Sequence, residues 1–206
     1  VGFRPNTHFV KDQLEMLGNG AIVIDKYGQT SRKDVFAAGD CATIPHRLSG
    51  NKYIPLATYA NKMGRLIGSN IVLEEKDWLG FAGALGSSAI KVGNYEASST
   101  GLTEKEAKGL DKDVKTTLIY ANNHSNYYTD VPQDKVMIKL VYDANTKVLY
   151  GAQLFGKNET VLRMTGLTTA IHAGLTTDEI GFIDYAYAPP FASTWEALNV
   201  AANTAK

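Results

Sequence analysis

The sequence predicts an α+β chain: a short α/β portion followed by a larger portion in which an antiparallel sheet is backed by helices. Three observations carry this. Apolar runs at 21–24 (AIVI) and 35–38 (VFAA) are bounded by turn residues, which fits strands buried on both faces of a mixed or parallel sheet. Residues 135–142 instead alternate, with Val136, Ile138, Leu140 and Tyr142 on one face and Met137, Lys139 and Val141 on the other, the period of a strand with unequal faces. The second portion also holds two Thr-x-x-Glu boxes, Thr103 to Glu106 and Thr176 to Glu179, each of which marks a helix start.

Taken in order, Gly18-Asn19-Gly20 leads into the first run and Gly39-Asp40 closes the second. Leu56, Ala60, Met63, Ile67 and Ile71 recur at helical spacing, so a helix with one buried stripe is expected from 56 to 71. Pro55 fits its first turn, where a missing N–H has no helical partner to lose, and Gly64 and Gly68 leave one flank flat. Glu74-Glu75-Lys76-Asp77 then gives way to GFAGALG, and the domain boundary is placed at 78/79. Strands are expected at 88–97, 114–121, 135–142 and 147–155, the last two joined into a hairpin by Asp143-Ala144-Asn145-Thr146. Gly109 is placed to stop the helix begun at Thr103. A helix over about 159–173 aligns Val161, Met164, Leu167 and Ile171 and ends at Gly174.

Composition narrows the function classes. Lys plus Arg and Asp plus Glu number 21 each among 206 residues, so no global field favours nucleic acid or an anionic membrane. No apolar run approaches the roughly 20 residues of a membrane helix, and no charged start leads into a signal core. The expectation is a cytoplasmic chain whose partner is a small molecule or a protein. The single cysteine, Cys41, excludes an internal disulfide and a thiolate zinc cluster built from this chain. His8, His46, His124 and His172 lack ligand spacing and read as surface or satisfied core residues, so no metal is expected.

Asp40 is the sharpest single candidate. A carboxylate directly after a buried strand emerges at the strand's carboxyl end, where open α/β sheets bind ligands. It can accept hydrogen bonds from the hydroxyls of a sugar or polyol, and Gly39 lets a backbone come close. The alternative is an aspartate that merely ends a strand or caps a turn.

The stretch Thr30-Ser31-Arg32-Lys33-Asp34-Val35-Phe36-Ala37-Ala38-Gly39-Asp40-Cys41 resembles the second FAD fingerprint of the pyridine nucleotide-disulfide oxidoreductases. Pro55-Leu56-Ala57 with Ala60, Gly64 and Arg65 resembles that family's PLA…A…GR helix, and Gly2 to Thr7 resembles its G-x-x-P-N-T segment. Tyr127-Tyr128 within NHSNYYTDVP, and AYAPPFASTWEALNVAAN at 186–203, resemble the branch containing coenzyme A disulfide reductases, NADH oxidases and NADH peroxidases.

The resemblance implies the end of an FAD-binding α/β domain at 1–78 and an α+β dimerisation domain with an antiparallel sheet at 79–206. It implies FAD as cofactor, NADH or NADPH as electron donor, a homodimer, and a small-molecule electron acceptor: coenzyme A disulfide, peroxide or dioxygen. Asp40 would bind the ribityl hydroxyls beside Gly39. Pro55, Leu56 and Ala57 would place a helix N-terminus near the flavin pyrimidine, where its free N–H groups favour negative charge. Tyr187, and Tyr127 or Tyr128, would approach the other subunit's flavin and reactive cysteine as catalytic residues. Tyr185, Tyr187, Phe191 and Trp195 read equally as an apolar dimer contact, and Arg163, which matches an arginine of the family helix, reads equally as a solvated surface residue. Cys41 reads as a small filler.

Two departures are visible. Thr129-Asp130 stands where proline and glycine are usual, and Tyr-Ala-Pro-Pro replaces the histidine-glutamate pair of glutathione-reductase relatives. No G-x-G-x-x-G opens a strand-to-helix turn, so the diphosphate-cradling turns are not in this chain, and neither is the family's redox cysteine. With a start that is not methionine, the expectation is a C-terminal fragment of such an enzyme, inactive alone. The alternative is an inert dimerisation module that does not bind FAD by itself.

Overall fold

Local patterning and long-range pairing meet differently in the two halves of the computed structural model, which describes residues 2–206. The chain divides into two units, Val1–Ala84 and Leu85–Lys206.

In the first unit, β1 (Ile44–His46) and β2 (Gly50–Lys52) form an antiparallel pair, followed by α1 (Ala57–Asn70). The strands expected at 21–24 and 35–38 are isolated bridges instead: Ile22 pairs in parallel with Ala42 and antiparallel with Met16, and Phe36 antiparallel with Gln29. The Ile22 N–H donates to the Cys41 carbonyl at 2.9 Å, and the Ile22 carbonyl accepts from the Thr43 N–H at 2.8 Å. An apolar run reports burial, whereas a ladder also needs a neighbouring strand. The first run is buried, with Ile22 and Ile24 packing beside Ala42, Ile44, and Tyr59 and Met63 of α1, whereas residues 35–38 are only half-buried. The helix buries Tyr59, Met63 and Ile67 at intervals of one turn. Its N-cap is Leu56, so Pro55 lies one residue outside the expected first turn, where its missing N–H still breaks no helical bond.

The second unit is built on five strands: β3 (Ser88–Val92), β4 (Tyr95–Gly101), β5 (Val114–Asn122), β6 (Lys135–Asp143) and β7 (Leu149–Gly156). They form one antiparallel sheet in the order β3-β4-β7-β6-β5. The single strand expected at 88–97 is a hairpin, because Gly93-Asn94 makes a tight two-residue turn there. On β6, Val136, Ile138, Leu140 and Tyr142 are buried as the alternation predicts. Val141 is buried as well, next to a register shift between Val141 and Tyr142.

Helices α2 (Glu104–Gly109), α3 (Met164–Ala173), α4 (Thr177–Ile180) and α5 (Ala197–Asn203) complete the unit. α3 lies on β4 and β7, and α5 on β5 and β6. Both threonine boxes close: Thr103 Oγ1 accepts from the Glu106 N–H at 3.2 Å while the Thr103 N–H donates to the Glu106 carboxylate at 2.9 Å, and Thr176 and Glu179 do the same. The helix expected from about 159 begins with a 3-10 turn at Thr160–Arg163 before becoming α3. α5 was not predicted; its buried face is supplied by Ala197, Ala201 and Ala202 beside Leu198, small side chains that carry little amphipathic contrast.

Where β4 pairs with β7, Gly101 stands opposite Gly151. The chain then crosses so closely that a Cβ on Gly151 would coincide with the Leu102 carbonyl. Leu102 cannot easily withdraw, because its N–H donates to the Tyr150 carbonyl at 2.8 Å and the preceding Gly101 N–H donates to the Leu85 carbonyl at 2.7 Å.

The β6–β7 turn is fixed by Asp143, whose Oδ1 accepts from the N–H groups of Thr146 at 2.7 Å and Asn145 at 3.0 Å. The Tyr150 hydroxyl donates to its second oxygen at 3.0 Å. The Thr146 and Asn145 donors, in that order, hold the Asp143 carboxyl down from 3.8 to about 2. A carboxyl whose folded pKa lies below its unfolded one adds stability above the unfolded pKa and loses it as pH falls through the folded one. Asp143→Asn should therefore melt below the parent at neutral pH, with the gap closing as pH falls from about 4 to about 2. Melting curves of both proteins across that range check this; a gap independent of pH would refute it.

Candidate functional site

Each unit gathers its own group of the predicted residues. In the first, the Asp40 side chain is exposed at the end of the segment that pairs through Ala42. Gly39 holds φ +86°, and a Cβ added to it would meet Ala60 at 3.8 Å, so the Gly39-Asp40 turn rests beside the first turn of α1. Gly39, Leu56 and Ala60 line one small cavity with Ile24, Tyr59 and Met63. The Tyr53 hydroxyl donates to the Asp40 carbonyl at 3.1 Å. Burial first, then the Asp40 charge, raises the pKa of this phenol, which keeps it a donor. Leu56 caps α1 without a side-chain acceptor, so the first-turn N–H groups, including that of the exposed Ala57, present partial positive charge uncapped by any side chain.

These residues fit part of FAD. A ribityl chain needs an exposed acceptor, which Asp40 offers, and the electron-rich edge of a flavin needs donors, which the start of α1 offers. Cys41 is half-buried and directs its Sγ at the Ala38 carbonyl, 3.4 Å away, as a small filler does.

In the second unit, the hydroxyls of Tyr127 and Tyr187 meet in a short hydrogen bond although the residues are 60 positions apart. Their segments are laced together by the Ser125 N–H donating to the Pro189 carbonyl at 3.1 Å, and by Ser125 Oγ donating to the Ala192 carbonyl at 2.8 Å. Hydrogen bonding from Tyr127, then Thr194 and Ser125, lowers the Tyr187 pKa. Tyr128 goes elsewhere: its ring sits edge-on to His124 at 5.6 Å.

The reading of Arg163 as a surface residue is overturned. Its side chain is 14% exposed and its partner Glu196 10%. The Nε–H donates to Glu196, one terminal nitrogen donates to Asn123 Oδ1 at 2.7 Å, and the other donates to the carbonyls of Asn123 at 2.8 Å and Phe191 at 3.1 Å. The sequence signal for this is only the match of Arg163 to an arginine of the family helix. Nearby, the Tyr185 hydroxyl is buried and finds no hydrogen-bond partner among the described residues; burial, then Glu196, pushes its pKa to about 12. Tyr185, Arg163, Glu196, His124, Leu162 and Phe191 line a cavity of about 700 Å³.

Among the described residues, no group of three or more His, Cys, Asp or Glu is placed to hold a metal, and no helix is long and apolar enough to cross a membrane.

Comparison with known proteins places these sites in context. Residues 87–198 match the family model for the pyridine nucleotide-disulphide oxidoreductase dimerisation domain, and residues 1–64 match a second model described as pyridine nucleotide-disulphide oxidoreductase. An NADH oxidase of Enterococcus faecalis is 37% identical over 206 residues, covering all of this chain and 45% of that protein. The CoA-dependent NAD(P)H sulfur oxidoreductase of Pyrococcus furiosus is 40% identical over 208 residues, covering all of this chain and 46% of that one. Among solved structures, the water-forming NADH oxidase from Lactobacillus brevis bound to NADH superposes with a TM-score of 0.92 at 32% identity, covering the whole of this chain and 45% of the other. The chain thus spans just under half the length of the relatives it matches.

Proposed function

The chain belongs to the pyridine nucleotide-disulphide oxidoreductase family, and from that premise we propose that it supplies part of the FAD site and the homodimer interface of an FAD-dependent NAD(P)H oxidoreductase of the NADH oxidase or coenzyme A disulfide reductase type. Residues 1–78 would belong to the FAD domain and 79–206 to the dimerisation domain. The observation that carries the reading is the exposed Asp40 in a turn whose Gly39 packs against the first turn of α1, a helix start with no side-chain cap.

Bound FAD would supply the two-electron chemistry, taking hydride from NADH or NADPH. The chain's own residues would bind and orient it. Asp40 would accept hydrogen bonds from the ribityl hydroxyls and Gly39 would leave room for them. Pro55, Leu56 and Ala57 would aim the α1 donors at the ring. Tyr187, its hydroxyl hydrogen-bonded to that of Tyr127, would hold or release a proton at the reacting centre of the partner subunit, with Tyr128 buttressing the loop through His124. The electron acceptor would be a small molecule: coenzyme A disulfide, peroxide or dioxygen. Exposure of Leu162 (63%), Phe182 (77%), Phe191 (73%) and Trp195 (53%) supports burial of this surface against a second copy.

The test is to soak the purified chain with excess FAD, desalt it and record flavin absorbance, with Asp40→Ala in parallel. Retention by the parent is expected, weakened about tenfold or more in Asp40→Ala, since a hydrogen bond to a charged acceptor contributes about 1.5–3 kcal/mol. Equal occupancy in the two proteins would remove Asp40 from the site. A colourless parent would favour the second reading, a dimerisation module that holds no FAD alone, which the missing G-x-G-x-x-G turn supports. Sedimentation equilibrium on the same samples should give a dimer; a monomer would overturn the interface assignment.

A further inference from the structure

We propose that Arg163, locked by Glu196, is a positioning residue that sets the approach of the Tyr127 and Tyr187 hydroxyls. The inference rests on the reading in which these tyrosines act at the reaction centre, and concerns what holds them there.

The two tyrosines lie on segments without regular structure, between β5 and β6 and between α4 and α5. Neither segment has a ladder or a helix to fix its place. Arg163 stands at the junction of both. It binds the backbone and side chain of Asn123, four residues before Tyr127, and the carbonyl of Phe191, four residues after Tyr187. Its Nε–H goes to Glu196, whose other oxygen accepts from the Leu198 N–H and so anchors the start of α5. One guanidinium therefore ties together the loop carrying Tyr127, the segment carrying Tyr187, and the helix that follows it.

Only arginine does this well. Its planar fork offers five donors in fixed directions, whereas a lysine ammonium is a compact point charge with three rotatable ones. At 14% side-chain exposure, water competes poorly for these bonds, so their geometry is transmitted to the loops they hold. Arg163 itself is not assigned to the chemistry; it touches the tyrosine segments, four residues away from each ring.

The readout is the ultraviolet tyrosinate band during a pH titration of the full chain, which holds 11 tyrosines. The meeting segments present Tyr127, Tyr128, His124, Tyr185, Arg163 and Glu196 as titratable or charged neighbours, so Tyr187→Phe serves to assign the phase. In the parent, one tyrosine should ionise below the ordinary phenol range, consistent with the direction of the Tyr187 shift, and that phase should be missing in Tyr187→Phe. In Arg163→Lys, which keeps the charge opposite Glu196 but not the fork, the low phase should be lost to the ordinary range while far-ultraviolet circular dichroism stays that of the parent. Should Arg163→Lys fail to fold, Asn123→Ala removes one of the four acceptors and leaves the guanidinium in place, and the same loss is expected. A low phase that persists unchanged in whichever of these variants folds overturns the positioning role while leaving the tyrosine reading intact. A parent with no low phase overturns both.

Discussion

Gly151→Ala is expected to destabilise the second unit by at least about 3 kcal/mol, which places it at the severe end of overpacking substitutions, and to lower its melting temperature by about 10 °C. The reason is geometric. Gly151 is buried near the start of β7, paired with Gly101 on one side and Val141 on the other, and the space a methyl group would need is taken by the Leu102 carbonyl. Backbone occupies that space, so no rotamer change relieves the clash. Moving Leu102 would break its bond to Tyr150 and strain the one from Gly101 to Leu85. Gly64→Ala and Gly68→Ala are the matched controls: both sit in α1 with nothing within 4 Å of an added Cβ, and each should stabilise by about 0.5–1 kcal/mol through helix propensity. Thermal denaturation of the three variants decides the matter, and a Gly151→Ala transition within about 2 °C of the parent would show that the crossing relaxes.

Glu196→Ala should cost a further large amount by a different route, about 3–5 kcal/mol for the stranded partner and about 1 kcal/mol for a lost helix cap. The carboxylate does two jobs. It neutralises Arg163, which is nearly as buried as Glu196 itself, and it accepts from the Leu198 N–H at the start of α5. Removing it leaves a guanidinium charge with neutral acceptors only. Glu196→Gln separates the two roles, because the amide oxygen can still cap α5 while the charge is gone, and it should fall between the parent and Glu196→Ala. Denaturant midpoints of the three proteins test the ordering; equal midpoints for Glu196→Gln and the parent would mean that the charge contributes nothing measurable, and equal midpoints for Glu196→Ala and Glu196→Gln that the cap does not.

What could be read from the sequence divides along the range of the signals. The capping boxes at Thr103 and Thr176 are four-residue patterns whose partners lie within the pattern, and both form as written. The alternation in β6 and the Asp143 turn are likewise local. Asp40 could be found because a glycine and an aspartate closing an apolar run form a local signature of a strand end, even though the run itself makes only a bridge. Arg163 could not, since its acceptors lie 28, 33 and 40 residues away and two of them are backbone carbonyls, which no residue identity announces. Tyr127 and Tyr128 were indistinguishable in sequence for the same reason: only the lacing of Ser125 to Pro189 and Ala192 turns one toward Tyr187. The α5 helix carries no legible pattern, because its buried alanines give no contrast between faces.

The strand order β3-β4-β7-β6-β5 has a kinetic meaning. Three of the four pairings join strands consecutive in the chain through a single connection: β3 with β4, β5 with β6 and β6 with β7. Only the pairing of β4 with β7 joins strands far apart along the chain, and every intervening residue from Leu102 to Val148 must be gathered before it closes. The entropy of loop closure is thereby concentrated in one seam. That seam is also where Gly101 faces Gly151 across backbones with no side chain between them, so the pairing with the largest loop to close is the one that leaves the least room for a shift in register.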